Sequence, residues 1–315
     1  MKSPEGPRKV KNKNEDVIPE YGLEDGIKKL VSLIQEKISK GILPVIVRVA
    51  GGSACGKTTE VSEKIKRIFN EDEVLILSMD NHYFDKHHWV KMAKQGISKP
   101  NVDEPASINF ASVEKNEEQL ISGKTIEEPL YSHRMQEATK TVTEQPHNII
   151  VEEGIFNLLL EKKSERHINV FVDTDTYGRM IRRVYRDVKY RMRPNETAAD
   201  MLKYVLETVE PMYEKHVKPT MENADMIINN PFDPESETEK FELKEAQLNF
   251  KTELTSEKLL ALGAKVIDQA EQVDYYYNPK NLDETGETLR IRHEFRIGEE
   301  ENNEKETIFF WLQRT

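Results

Sequence analysis

One cysteine, Cys55, is all that the 315 residues contain, so no disulfide can form within the chain, and a reducing cytoplasm is the expected setting. Long apolar runs are missing too. No stretch approaches the ~20 apolar residues that a bilayer crossing needs. The Lys-rich start, Met1 to Asn14, has no apolar core behind it, so neither a membrane association nor a secretory leader is expected. Positive charge is in deficit: 46 Lys and Arg against 57 Asp and Glu leave a net charge of −11. Nucleic acid is therefore excluded as an expected partner, because a binder needs a basic footprint. The charge balance leaves monomer and homo-oligomer both open. What remains is 37% hydrophobic and 33% charged, a globular chain with a polar surface, long enough for one large domain and a smaller one.

Residues 1–22 read as a mobile tail of Pro, Gly, Lys and Asn with little to bury. Gly26 to Lys40 has Ile27, Leu30, Val31, Ile34 and Ile38 at helical spacing. Then come short β-branched runs of the kind that form buried parallel strands: Ile42–Ala50, Val74–Asp80, Asn148–Gly154, Ile168–Thr174 and Ala224–Asn230. Helical patterns lie between them at Thr58–Phe69, Ser112–Ser122, Thr176–Met192 and Thr197 to about Lys218. Strand alternating with helix predicts an α/β domain over 23–234, with a five-stranded parallel sheet flanked by helices. After Pro231 the pattern changes. A charged, turn-rich stretch reads as a linker, and a boundary is expected near residue 235. Residues 235–315 then form a β-rich segment, with antiparallel strands at Lys265–Asn278, Thr288–Arg296 and Thr307–Gln313.

The strongest local signal is Gly51-Gly52-Ser53-Ala54-Cys55-Gly56-Lys57-Thr58, which matches G-x4-G-K-[ST] between a buried strand and an amphipathic helix. The glycines let the backbone curl so that its N–H groups face a phosphate, Lys57 neutralises the β/γ oxygens, and the Thr58 hydroxyl reaches Mg²⁺. The expected ligand is ATP with Mg²⁺, cradled by residues 51–58 and Thr59. Cys55 reads as a small filler in this loop. Three further features point to phosphoryl transfer. Asp80 stands at the carboxyl end of a strand, where ligands bind in such sheets, and could orient Mg²⁺ or accept the proton of an attacking hydroxyl. Glu152 and Glu153 end another strand, and one of them should be an acidic Mg²⁺ partner. Finally, Arg179 to Arg193 holds six arginines in fifteen residues, a density that anions would neutralise.

These residues resemble the uridine kinase and phosphoribulokinase family over roughly Ile42 to Pro231. SMDNHYF (Ser78–Phe84) is similar to the segment that carries the family's catalytic base, which implies that role for Asp80 and an acceptor contact for Tyr83. NVDEPASIN resembles the segment that touches the acceptor sugar, implying Asp103. PLYSHRM resembles the segment that closes over the acceptor, implying Tyr131, His133 and Arg134. VEEGIF resembles the strand end that selects Glu153 as the Mg²⁺ partner, beside Thr58 and Asp80. FVDTDTYGRMIRRVYRD resembles the entry to an Arg-rich lid, implying Arg183 and Arg186 as catalytic cations and Arg191 and Arg193 as phosphate contacts.

The remainder, with YYYNP and LRIRHEF, resembles uridine kinase-like proteins fused to a CYTH domain, a triphosphate tunnel barrel. That would place Lys251, Arg290 and Arg292 on its basic strands. Its first strand has Glu245, Gln247, Asn249 and Lys251 in place of alternating Glu-x-Glu-x-Lys, so a partial CYTH-like segment without its own triphosphatase site is expected. The function implied is transfer of phosphate from Mg-ATP to a small-molecule hydroxyl, on a nucleoside such as uridine or cytidine or on a related sugar. Pyrophosphatase or triphosphatase activity, and a non-enzymatic nucleotide sensor, are the alternatives.

Overall fold

The structure is a computed structural model that describes residues 10–12, 15–161, 163–190, 201, 203–233, 270–277, 287–296 and 305–314. The first unit is built on a sheet whose strands and early covering helices are β1 (Glu20–Gly22), α1 (Leu23–Ser39), β2 (Val45–Gly51), α2 (Glu63–Phe69), β3 (Val74–Ser78) and, later, β6 (Ile149–Glu153) and β7 (His167–Asp173). β8 (Met226–Asn229) completes the sheet. The order is β1-β8-β7-β2-β6-β3, and every pairing is parallel.

The sheet has six strands, not the five expected. The extra one is β1, in the stretch read as tail, where Glu20 pairs with Ile227 and Gly22 with Asn229. Ile18 just before it is buried, and Ile227 N donates to Pro19 O at 2.9 Å. Three residues are too few to show a period, so this edge strand left no mark in the sequence pattern.

Alternation along β2 sorts the two faces. Val45, Val47 and Val49 pack with Ile27, Leu30 and Ile34 of α1 and with Val61 and Ile65 on the helical stretch after the loop. Ile46, Arg48 and Ala50 point the other way. There Ile46 packs with Leu120 of α4 (Phe110–Ile121), and Ala50 lies in a cluster with Met79, Phe156 and Tyr213. Each fully buried Val or Ile contributes roughly 1.5–3 kcal/mol relative to exposure.

Two elements unforeseen in the sequence sit beyond the strand ends. One is α3 (Lys86–Ala93), capped by Asp85, whose carboxylate accepts the His88 N–H at 2.6 Å. The other is an antiparallel hairpin of β4 (Ile126–Ser132) and β5 (Glu137–Glu144). Helix α5 (Thr176–Tyr190) follows β7, and the chain is helical again from residue 203 to Asn223.

The first unit ends at Phe232. In the second, β9 (Ala270–Tyr277), β10 (Glu287–Arg296) and β11 (Lys305–Arg314) form an antiparallel sheet in the order β11-β10-β9. The expected linker near 235, Lys251, the first CYTH-like strand and the lid residues Arg191 and Arg193 lie outside the described residues.

Candidate active site

β2 delivers the chain to the Gly-rich loop. Gly51 is at φ 147°, and a Cβ there would lie 2.3 Å from Val172 O. A Cβ on Gly52 would come within 2.4 Å of Arg179 Cδ, so glycine is required for the loop to curl this tightly. Helical turns begin at Lys57, directly after Gly56. The Lys57 ammonium donates to Gly51 O at 3.1 Å and Gly52 O at 2.9 Å, which sets it over the mouth of the loop. Cys55 is fully buried, and burial raises its thiol pKa, in keeping with a filler role. The back of the loop is pinned from the ends of β7 and β8. Asn230 Nδ2 donates to Cys55 O at 2.8 Å, and Thr174 Oγ1 donates to the same oxygen at 3.2 Å.

Glu153, at the end of β6, lies beside this loop. Its Oε1 accepts from Ser78 Oγ at 2.8 Å, and the Thr58 side chain lies near the same carboxyl. Its pKa is raised, first by burial and then by the neighbouring Asp80 charge; Lys57, Ser78 and Thr58 pull the other way. Asp80 stands in the turn Met79–His82 that follows β3. Its Oδ2 is 3.2 Å from His133 Nε2. The preceding residue of β6, Glu152, faces the opposite side of the sheet, where its Oε2 accepts from Arg48 Nε at 3.3 Å.

Beyond Asp80 the rings of Tyr83, Tyr131 and His133 form a triangle with all three centroid separations at 5.5 Å. Behind it the buried Asp103 pairs with Arg183 at 3.6 Å and accepts from Tyr204 OH at 3.2 Å. Burial and the Asp80 and Asp103 charges push the Tyr83 phenol well above its usual range.

A profile of the Phosphoribulokinase / Uridine kinase family matches residues 46–235. The chain belongs to this family. It is thus a P-loop kinase. The uridine kinase of Lactiplantibacillus plantarum is 35% identical over 189 residues, which span 59% of this chain and 86% of that protein. The uridine kinase of Lactobacillus helveticus is 37% identical over 187 residues, again 59% of this chain and 86% of that protein. Both matches fall short of the full chain.

In this kinase the fold brings Gly51–Thr58, Asp80 and Glu153 to one end of the sheet, with Tyr83, Asp103, Tyr131, His133 and Arg183 on the side of Asp80. Thr58 and Thr59 are exposed on the first helical turn. Two further predicted residues lie at the edge of this group. Arg134 is exposed near the hairpin tip. Arg186 pairs with Asp187 at 2.8 Å. Asp187 also takes Arg183 Nε at 3.1 Å, so one carboxylate spaces both guanidinium groups.

Several residues of the site escaped the sequence reading. Arg179 lies against Gly52, donates to Thr174 O and to Glu210 Oε2 at 2.6 Å, and stacks 3.7 Å from the centre of the Tyr213 ring. It braces the loop from behind, so the first arginine of the cluster is a buried strut. Its place at the start of α5 was visible, but its inward orientation was not. Asn81 lies inside SMDNHYF with no role of its own assigned there, and Tyr204 and Glu128 carried no pattern at all.

Proposed function

We propose that this protein transfers the γ-phosphoryl group of Mg-ATP to a hydroxyl of a nucleoside such as uridine. The observation that carries this reading is the placement of Asp80, on the side of the strand-end carboxylate Glu153 and 3.2 Å from His133 of the ring triangle. A carboxylate between a phosphate cradle and an aromatic acceptor pocket is suited to take a hydroxyl proton. The nucleoside identity is supported by the uridine kinase relatives.

ATP would lie in the Gly51–Thr59 cradle, with Lys57 on its β/γ oxygens. The donor set of Thr58, Asp80 and Glu153 fits a hard divalent cation, because all three offer oxygen ligands at the same end of the sheet. Mg²⁺, when bound, neutralises charge on the phosphate oxygens. Asp103 would hold the acceptor sugar, and Tyr83, Tyr131, His133 and Arg134 would enclose the acceptor. As Asp80 accepts the hydroxyl proton, the acceptor oxygen bonds to the γ-phosphorus and the bond to the bridging oxygen breaks, leaving ADP. Lys57, Arg183 and Arg186 spread the charge that develops, with Arg191 and Arg193 as further phosphate contacts.

The antiparallel β9–β11 sheet is read as the partial CYTH-like segment. Arg290 and Arg292 occupy alternate positions of β10, opposite Trp311 and Phe309 in register. The relatives' kinase names favour phosphotransfer over hydrolysis or sensing.

Asp80→Asn tests the assignment. Nucleotide affinity should stay within about twofold while turnover falls by roughly 10²–10⁴. Unchanged turnover would remove Asp80 from the mechanism.

A further inference from the structure

The hairpin that carries Tyr131 and His133 is not regular. Along β4 and β5 the register runs from Ile126↔Glu144 to Leu130↔Lys140, then jumps to Tyr131↔Ala138. Thr139 is the extra residue, and its Oγ1 donates to Leu130 O at 3.2 Å. A bulge of this kind breaks the ladder locally and re-aims the side chains that follow. At the break, the Tyr131 N–H donates to Asn81 Oδ1 at 3.1 Å. Asn81 is the residue directly after Asp80, so the amide bond at the bulge is made to the turn that carries the proposed base.

Asn81 is itself held. Its Nδ2 donates to Glu128 Oε1 at 3.1 Å. Glu128, on β4, is 2% exposed, and its other oxygen accepts from Asn116 Nδ2 at 2.8 Å and lies 3.3 Å from His82 Nε2. His82 Nδ1 is 3.1 Å from Ser112 Oγ, so the network also ties the turn to α4. A carboxylate only accepts, which obliges Asn81 to turn its NH₂ toward Glu128 and its oxygen toward Tyr131. Buried networks in which every member is satisfied fix one geometry.

We propose that Asn81, oriented by Glu128, is a positioning residue that sets the acceptor hairpin over Asp80. This rests on the reading of Asp80 as the base. Asn81 fixes the backbone at Tyr131, and two residues on, His133 reaches Asp80. Misplacing such a wall by about 1 Å can cost on the order of 10²-fold in rate.

The test is a polarity exchange. Asn81→Asp alone sets two carboxylates against each other. Glu128→Gln alone sets its NH₂ against the Nδ2 donor of either Asn81 or Asn116, since only one of its two terminal atoms still accepts. In the double variant the new amide at position 128 can donate to the new carboxylate at position 81 and still accept from Asn116. That carboxylate still accepts the Tyr131 N–H. Each single variant should lose about 10- to 100-fold in kcat/KM for the acceptor, with KM for ATP within about twofold. The double variant should recover to within about threefold of the parent. Should a single variant fail to fold, Asn81→Ala takes its place with the same expectation. Parent-like single variants, a double variant no better than the worse single, or acceptor and ATP constants that move together would overturn the proposal. Asp80→Asn is assayed alongside. Retained turnover there overturns the base assignment, whereas lost turnover with parent-like Asn81 and Glu128 variants overturns the positioning role alone.

Discussion

Replacing Glu152 by Gln should make the protein more stable, and increasingly so as pH rises. Glu152 sits in the middle of the sheet, paired in register with Arg48 on β2. Arg48 is 1% exposed and also binds Glu117 of α4. His167 Nδ1 accepts the Ser164 N–H at 2.9 Å, which leaves Nε2 to face Glu117 at 3.2 Å. One arginine thus faces two carboxyls in a buried space, and two carboxylates this close cannot both ionise. Hydrogen bonds from His167 and the charge and hydrogen bonds of Arg48 hold Glu117 down at about 2, against the burial that would raise it. Burial, and after it the Glu117 charge, raise Glu152 to about 8. The cluster therefore keeps one proton, on Glu152.

A carboxyl whose folded pKa is raised contributes stability that is present in full below its unfolded value, here 4.5, and is lost as pH climbs to about 8. Each pH unit in that window costs roughly 1.4 kcal/mol, a total on the order of 5 kcal/mol. A glutamine at this position is nearly isosteric with the neutral acid and can donate to Glu117 in its place, without the titration. Urea unfolding of both proteins at pH 5, 6, 7 and 8 reads the difference directly. The curves should diverge in favour of the Glu152→Gln variant by about 1 kcal/mol per pH unit. A difference that does not change with pH would show that Glu152 carries no proton in the native state, and the reasoning would fail.

Lys57→Ala should abolish detectable ATP binding by titration calorimetry, since the ammonium at the loop mouth is lost while the fold, read by circular dichroism, stays. Glu153→Gln should raise the Mg²⁺ concentration for half-maximal activity by at least about tenfold; an unchanged requirement would remove Glu153 from the cation site. Arg179→Ala leaves the partly buried Glu210 without its partner and removes the brace behind Gly52, so the thermal midpoint should fall by the equivalent of about 3 kcal/mol and KM for ATP should rise. A variant as stable as the parent would contradict the strut role.

The five longer parallel strands were legible because each is a short, largely buried β-branched run, and the antiparallel C-terminal strands because each is an apolar or aromatic run between charged, polar stretches. β1 is too short to carry a pattern. The β4–β5 hairpin was invisible because Glu137–Glu144 is mostly exposed and polar, with no apolar alternation to announce it. The phosphate loop could be read in full. The choice between Glu152 and Glu153 could not be made from the strand alone, since both close the same run. Arg48 was the overlooked signal: an arginine inside ILPVIVRVA has to find a buried acid, and the in-register neighbour on the other face is Glu152. Asn81, Glu128 and Tyr204 act through contacts between elements distant in sequence, which spacing does not encode.

The decisive measurement is ADP formation from Mg-ATP by the purified protein, with and without uridine. ADP is expected only when the nucleoside is present, with none in Lys57→Ala and with phosphate recovered on the nucleoside. Inorganic phosphate released without any acceptor, or bound ATP left intact across nucleoside and sugar acceptors, would contradict the proposed function.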